Sequence, residues 1–211
     1  MATWRFLQLA DSAFPTGGFA HSGGLEAAAQ AGEVPDLAAF TRSALWQAGL
    51  GALPLVHDAW RDPRALARLD ARADVFLANH VANRASRTQG GAFHSTCARV
   101  FPGEAPPVPE GLCMHLAPLW GVVLRGLTMS LEEARTLFLW SAARGVLSAA
   151  VRLGLAGTYE AQRMLVELAP ALDLVAVRCA GLGADDLAQP FPLLDVLHGT
   201  HDRLHSRLFQ S

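Results

Sequence analysis

The sequence predicts an all-α fold, a single compact domain of about eight to ten helices over residues 1–211. Three observations carry this. Ala, Leu and Arg, all strong helix formers, dominate the chain. The β-branched residues are scarce, with 14 Val, 9 Thr and no Ile. Helix-start signals recur along the chain, and alternating runs of strand length do not.

The first element is a Gly-rich turn, which precedes a helix that opens at Leu25–Gln30. Asp36 caps a second helix with apolar positions Leu37, Phe40, Ala44 and Leu45. Pro54 kinks or interrupts the helical stretch after it. Asp62-Pro63 starts a helix running to about Asn79, with an N-cap followed by Pro at the first helical position. A further stretch passes Arg84, Arg87 and Phe93 to about Val100. Pro102–Pro109 is a loop inside the domain. The next helix is Leu116–Leu127. Ser130 and Glu133 form a capping box that opens a long helix ending near Gly154. Thr158 caps another that bends at Pro170 and stops by Gly181 and Gly183. A last helix spans about Pro192–Leu208.

Composition excludes several function classes. With 51% hydrophobic and 17% charged residues the chain has core enough for one domain and is not disordered. Net charge of −2 argues against a nucleic-acid surface. No membrane span or secretory leader is read, and three separated cysteines (Cys97, Cys113, Cys179) suit a reducing compartment, so the expectation is a cytoplasmic protein. Lys is absent. Neither a Walker A phosphate loop nor a Lys Schiff base is therefore available.

Three places could carry chemistry. The first is Leu7–Glu26, with Phe14, Pro15, Gly17, Gly18, His21, Ser22, Gly24 and Glu26. Its glycines fit close backbone approach to a phosphate or simply a packed turn. The second is His198, His201 and His205. On a helix they would share one face, as ligands for Ni²⁺ or Zn²⁺ in a metal-dependent enzyme or as a wetted histidine face. The third is basic. Arg61, Arg64, Arg68 and Arg72 alternate with acids as a solvated face or a docking strip. Arg84, Arg87 and Gln89 either cover apolar surface or offer an arginine to a partner's nucleotide site. No nucleophile–base pair and no catalytic motif emerges.

The block Phe14-Pro15-Thr16-Gly17-Gly18-Phe19-Ala20-His21-Ser22, followed by Gly24-Leu25-Glu26, closely resembles the N-terminal signature of the UreF family of urease accessory proteins. Ala150-Val151-Arg152-Leu153-Gly154 with Gln162, and Pro192-Leu193-Leu194-Asp195 through His201-Asp202 to Ser206-Arg207-Leu208-Phe209-Gln210-Ser211, resemble two further blocks of that family. Departures are Gln210 for the usual Arg, Asp202 for Glu, His205 for Tyr, and a loose Leu155–Thr158. The resemblance implies an all-α protein without catalytic activity of its own, with no stably bound cofactor and no resident metal. It implies a complex with UreD (also called UreH) and the GTPase UreG that delivers nickel to apo-urease, and it implies homodimerisation. On this resemblance the candidate UreD-facing residues are Arg207, Leu208 and Phe209, with Phe209 filling a pocket on the partner; the alternative is that Phe209 folds back onto this chain's own core. The N-terminal block is a candidate functional surface, and Arg84, Arg87 and Gln89 are candidates to face UreG and influence its GTP hydrolysis.

Overall fold

The computed structural model describes residues 2–211; Met1, the first residue of the expected domain, lies outside the described residues. Ten α-helices and no strand occur among those residues: α1 Ala2–Ala10, α2 Leu25–Gln30, α3 Leu37–Gly51, α4 Leu53–Arg61, α5 Leu66–Phe76, α6 His80–Val100, α7 Leu116–Gly126, α8 Leu131–Arg152, α9 Thr158–Arg178 and α10 Pro192–Gly199.

The local start signals act as read. Asp36 accepts from the Ala39 N–H at 3.0 Å. Asp62 caps a 3-10 turn at Pro63–Ala65 that leads into α5. Ser130 and Glu133 bond each other's backbone N–H at 3.1 and 2.7 Å. Pro54 lies in the first turn of α4 and so opens a helix there. α5 stops at Phe76, short of Asn79, because Asn79 instead caps α6 through the Val81 N–H at 3.0 Å. Gly157, not Thr158, holds the N-cap position of α9, and α9 continues through Pro170 to Arg178.

α7 is the central helix. Every residue from Ala117 to Leu124 is buried, and α4, α5, α6 and α8 pack around it. Phe93 stacks on Trp120 with ring centroids 4.5 Å apart, and Trp120 meets Phe138 edge-on at 5.6 Å. The Trp120 Nε1–H donates to the Ala134 carbonyl, so the indole is buried without an unmet donor. A second cluster gathers Leu25, Ala28, Phe40, Val146, Ala149 and Ala150 from α2, α3 and α8.

The C-terminal segment departs from the sequence reading. α10 ends at Gly199, nine residues before Leu208. A 3-10 turn comes next at His201–Arg203, and the tail then runs as non-helical chain. His198, His201 and His205 therefore do not share a helical face. The cause is long-range. The Leu208 and Phe209 N–H groups bond the Glu26 carboxyl of α2 rather than carbonyls one turn back. Phe209 is 5% exposed and completes the second cluster. It fills a pocket of its own chain, which corrects the expectation of a partner's pocket.

Candidate functional site

The N-terminal block is carried on α6. Thr96 Oγ1 donates to the Pro15 carbonyl at 2.7 Å, and Phe14 stacks on Phe101 with centroids 6.3 Å apart. Gly17 and Gly24 have φ of +77° and +88°, whereas Gly18 does not need the left-handed region. Gly24 is the constrained one. A Cβ there would lie 2.9 Å from the His198 Cβ, so the turn into α2 and the end of α10 touch through a missing side chain. Gln89 of α6 lies beside Gly18.

The tail returns to this block. Gln210 N–H donates to the Ala20 carbonyl at 2.8 Å, and Ser22 N–H to the Ser211 carbonyl at 2.6 Å. Ser22 Oγ donates to that same carbonyl at 2.9 Å, and His21 Nδ1 shares a hydrogen bond with Ser211 Oγ at 2.6 Å. Beneath them Glu26, 2% exposed, accepts from Leu208 N–H at 2.6 Å and Phe209 N–H at 3.2 Å and bonds His201 Nε2 at 3.0 Å.

Arg152, from the end of α8, closes the junction. Its guanidinium donates to the Phe19 carbonyl and lies 3.9 Å from the Phe19 ring centroid and 4.2 Å from that of Phe209. Cation–π contact to both rings joins the loop and the tail through one side chain. All three sequence blocks of the resemblance meet here.

The histidines at this junction are structural groups under electrostatic stress. Burial pushes His198 down to about 4, helped by His201 and His21. Burial also lowers His21, with Arg84 and His201 adding to it. His21 Nε2, His198 Nε2 and His201 Nδ1 are buried without a hydrogen-bond partner. These rings do not present three ligand atoms within bonding reach of one ion; among the described residues only Asp74, Cys113 and His115 do so. His205 is exposed and apart. That removes the geometric basis of the three-histidine metal enzyme. Glu26 is committed to two backbone N–H groups and the His201 ring, and the Ser22 hydroxyl to the Ser211 carbonyl, so the arrangement clamps the tail.

Outside the clamp lies a charged rim. Arg84 makes two bonds to Asp202, at 2.8 and 3.1 Å, with His80 at 3.2 Å and Arg207 at 3.4 Å on the same carboxylate. The Arg84 hydrogen bonds are the main reason Asp202 sits below the usual carboxylate range. Arg87 is exposed, and its Nε–H donates to the Cys113 carbonyl at 3.2 Å. Leu208 is 52% exposed beside buried Phe209. The Arg61–Arg72 strip is largely solvated, with Arg64 bonded to neighbouring Asp62 and Arg72 reaching the Ala184 carbonyl. Two residues central to the clamp, Arg152 and His198, carry no local sign of that role in the sequence. It marks the one only within a resemblance block and the other only within a possible metal triad. Their contacts, at 3.9 Å from the Phe19 ring and in van der Waals range of Gly24, reach across the chain.

A family model for UreF matches residues 32–169, about two thirds of the chain. The chain belongs to the UreF family. Its likeness to UreF proteins also extends over both terminal blocks. A protein of Arabidopsis thaliana named urease accessory protein F is 36% identical over 222 residues, covering 99% of this chain and 92% of its own length. A protein of Mesorhizobium japonicum named urease accessory protein UreF is 29% identical and spans 100% of this chain and 97% of its own. A Schizosaccharomyces pombe protein named an uncharacterized UreF-like urease accessory protein is 29% identical, over 97% of this chain and 95% of its own. The role this family membership supports is that of a urease-maturation accessory protein. Among the described residues, no helix is long and apolar enough to cross a membrane.

Proposed function

We propose that this chain acts in the cytoplasm as a non-enzymatic nickel-insertion chaperone for urease. In this reading it binds a UreD/UreH-type protein and the GTPase UreG, and the complex delivers nickel to apo-urease. Nickel is cargo of the complex and not a resident cofactor of this chain. The observation that carries the reading is the full-length likeness to proteins named for urease maturation, from plant to bacterium.

The surface supports a division of roles. The tail rim, Arg207 and Leu208, is exposed at the clamp and faces the UreD-type partner. The exposed arginines of α6, Arg84 and Arg87, with Gln89 beside the Gly18 turn, face UreG and modulate its GTP hydrolysis. The chain has no Lys, so the phosphate-reading group of a Walker A loop must come from that partner. Homodimerisation rests on the family likeness; the exposed Tyr159, Val166, Leu174 and Val177, which share one face of α9 with Arg163 and Asp173, offer a mixed surface for it.

The test is activation of apo-urease by UreD, UreG, GTP and nickel, with and without this chain. Activation that depends on the chain is expected. Equal activation in its absence rejects the reading, as does micromolar GTP binding by the isolated chain in calorimetry.

A further inference from the structure

A second constructed site lies away from the clamp, where α5, α6 and the segment before α7 meet. Asp70 of α5 is 1% exposed, and its carboxyl accepts from three successive backbone N–H groups. These are Cys113 at 2.6 Å, Met114 at 3.3 Å and His115 at 2.7 Å. Between the outer two, Met114 adopts φ +70°, a conformation that residues with a Cβ rarely hold. The turn is pressed against α6 at Gly90, where a Cβ would lie 2.0 Å from the Met114 carbonyl oxygen. A buried carboxyl, a strained residue and a glycine contact together fix one short turn. What the turn accomplishes is to bring Cys113 and His115 beside Asp74, one helical turn beyond Asp70.

His115 is fully buried, and its Nε2 lies 3.1 Å from Asp74 Oδ1. The other ring nitrogen, Nδ1, is 3.1 Å from Ser86 Oγ, which also accepts from the Leu116 N–H at 3.2 Å. Asn83 Nδ2 donates to Asp74 Oδ1 at 3.0 Å. One ligand atom from each of Asp74, Cys113 and His115 lies within 4.8 Å of the other two. Cys113 and Asp74 line a cleft whose rim carries His80, Arg84 and Arg87. A plain His–Asp hydrogen bond explains two of these groups. The Cys113 thiol is held against the same Asp74 carboxylate, and burial together with Asp74 and Asp70 pushes it up, so it keeps its proton until a cation displaces it.

We propose that Asp74, Cys113 and His115 form a binding site for a first-row transition-metal dication of the Zn²⁺, Co²⁺ or Ni²⁺ type. The ligand set selects the class. A thiolate and an imidazole favour a borderline-soft cation over Mg²⁺ or Ca²⁺, which take oxygen ligands. Metal–ligand bonds of roughly 2.0–2.3 Å place ligand atoms about 3.4–3.8 Å apart, so side-chain rotation closes the set. One thiolate and one carboxylate neutralise the dication, and the thiol sheds its proton on binding. Rotation of the Ser86 hydroxyl lets it accept from Nδ1–H, which frees the Nε2 lone pair for the metal. Asn83 steadies the carboxylate, so both ligands have a supporting hydrogen bond. Three protein ligands leave the fourth position open towards the cleft. That is the arrangement of a site that exchanges a ligand, and not of a closed structural site.

The test titrates the purified, reduced full chain with Co²⁺. One equivalent should bind, with a thiolate-to-cobalt charge-transfer band. Cys113→Ser should abolish the band and weaken binding at least about tenfold, and Asp74→Asn should weaken it in the same direction. Absence of the band in the parent, or its persistence in Cys113→Ser, overturns the proposal. A second measurement needs no variant. Alkylation of Cys113 by iodoacetamide, read by mass spectrometry, should slow about tenfold or more with Zn²⁺ or Ni²⁺ and not with Mg²⁺. Equal alkylation with and without Zn²⁺ or Ni²⁺ also overturns it. Both readouts use the isolated chain, so they succeed or fail independently of urease activation.

Discussion

Replacing Glu26 by Ala should release the C-terminal tail before it unfolds the protein. Glu26 is 2% exposed and holds Leu208 N–H, Phe209 N–H and His201 Nε2. A buried donor left without a partner costs about 1–3 kcal/mol. Stranding all three in place would thus cost ~3–9 kcal/mol. The tail has a cheaper route, because detaching it lets water satisfy its N–H groups. What detachment forfeits is the burial of Phe209, about 1.5–3 kcal/mol, and its contact with Arg152, about 0.5–2 kcal/mol. It also forfeits a few net hydrogen bonds of ~1 kcal/mol each, to Ala20, Ser22 and Gln30. Against this the freed residues regain about 1–2 kcal/mol each of backbone entropy. These opposing amounts are comparable once Glu26 is gone, so in the parent the Glu26 bonds are what keep the tail closed. A loss of about 3 kcal/mol raises the open population on the order of 100-fold. Limited trypsin digestion reads this directly, since Arg203 and Arg207 are cleavage sites on the tail and cleavage tracks the open population. Glu26→Ala should accelerate cleavage at both, and Glu26→Gln, which keeps an acceptor, should do so less. Unchanged protection of Arg203 and Arg207 in Glu26→Ala would refute the reasoning.

Acid should weaken the junction through His198. Its folded value of about 4 lies below the ~6.5 of an unfolded histidine, so the unfolded chain takes up the extra proton. The contribution is intact above about pH 6.5 and is lost as pH falls towards 4, with ~2 kcal/mol gone by pH 5. Urea denaturation at both pH values should show a smaller acid loss in His198→Gln than in the parent; equal losses would exclude His198 as the source. Gly24→Ala should cost about 2–4 kcal/mol, from φ +88° and the 2.9 Å approach to His198, and a melting temperature equal to the parent's would contradict this. Arg152→Ala should cost about 1–3 kcal/mol by losing both ring contacts and the Phe19 carbonyl bond. Arg152→Lys should recover only part of that, and full recovery would mean that planar stacking is unimportant.

Much of the fold was legible because its signals are local. The Ser130–Glu133 box, Asp36 and Asp62-Pro63 act within one turn, and they place helix starts to within a few residues. α1 carries no such signal. It has no acidic residue in its first turn and no basic residue in its last, and Trp4 and Leu7 remain exposed on it. The end of α10 is illegible for a different reason. Leu197, Leu204 and Leu208 have helical spacing, but the acceptor that ends the pattern is Glu26, some 180 residues away. The same distance problem hides the second site. Asp70 and Asp74 look like part of a solvated charged face, yet Asp70 is 1% exposed and its partners lie more than forty residues on. A Cys-x-His spacing before a helix is too common to single out Cys113 and His115 by sequence alone.

The burial of Phe209 changes how the tail engages a partner under the proposed function. An aromatic residue beside an Arg at the end of a helix suggests an interface anchor. Here the ring is 5% exposed, so a partner that took it would first have to offset its present seat of about 2–5 kcal/mol, including the Arg152 contact. Each 1.4 kcal/mol of that offset costs about tenfold in affinity. Leu208 and Arg207 carry no such burden, because both are already exposed. The two kinds of residue therefore separate by experiment. Leu208→Ala and Arg207→Ala should leave the melting temperature of the isolated chain within about 2 °C of the parent and weaken capture by an immobilised UreD-type protein. Phe209→Ala should instead lower the stability of the isolated chain by about 3 kcal/mol, before any partner is added. If Phe209→Ala leaves the isolated chain as stable as the parent while abolishing capture, the ring serves the partner and the intramolecular seat is incidental.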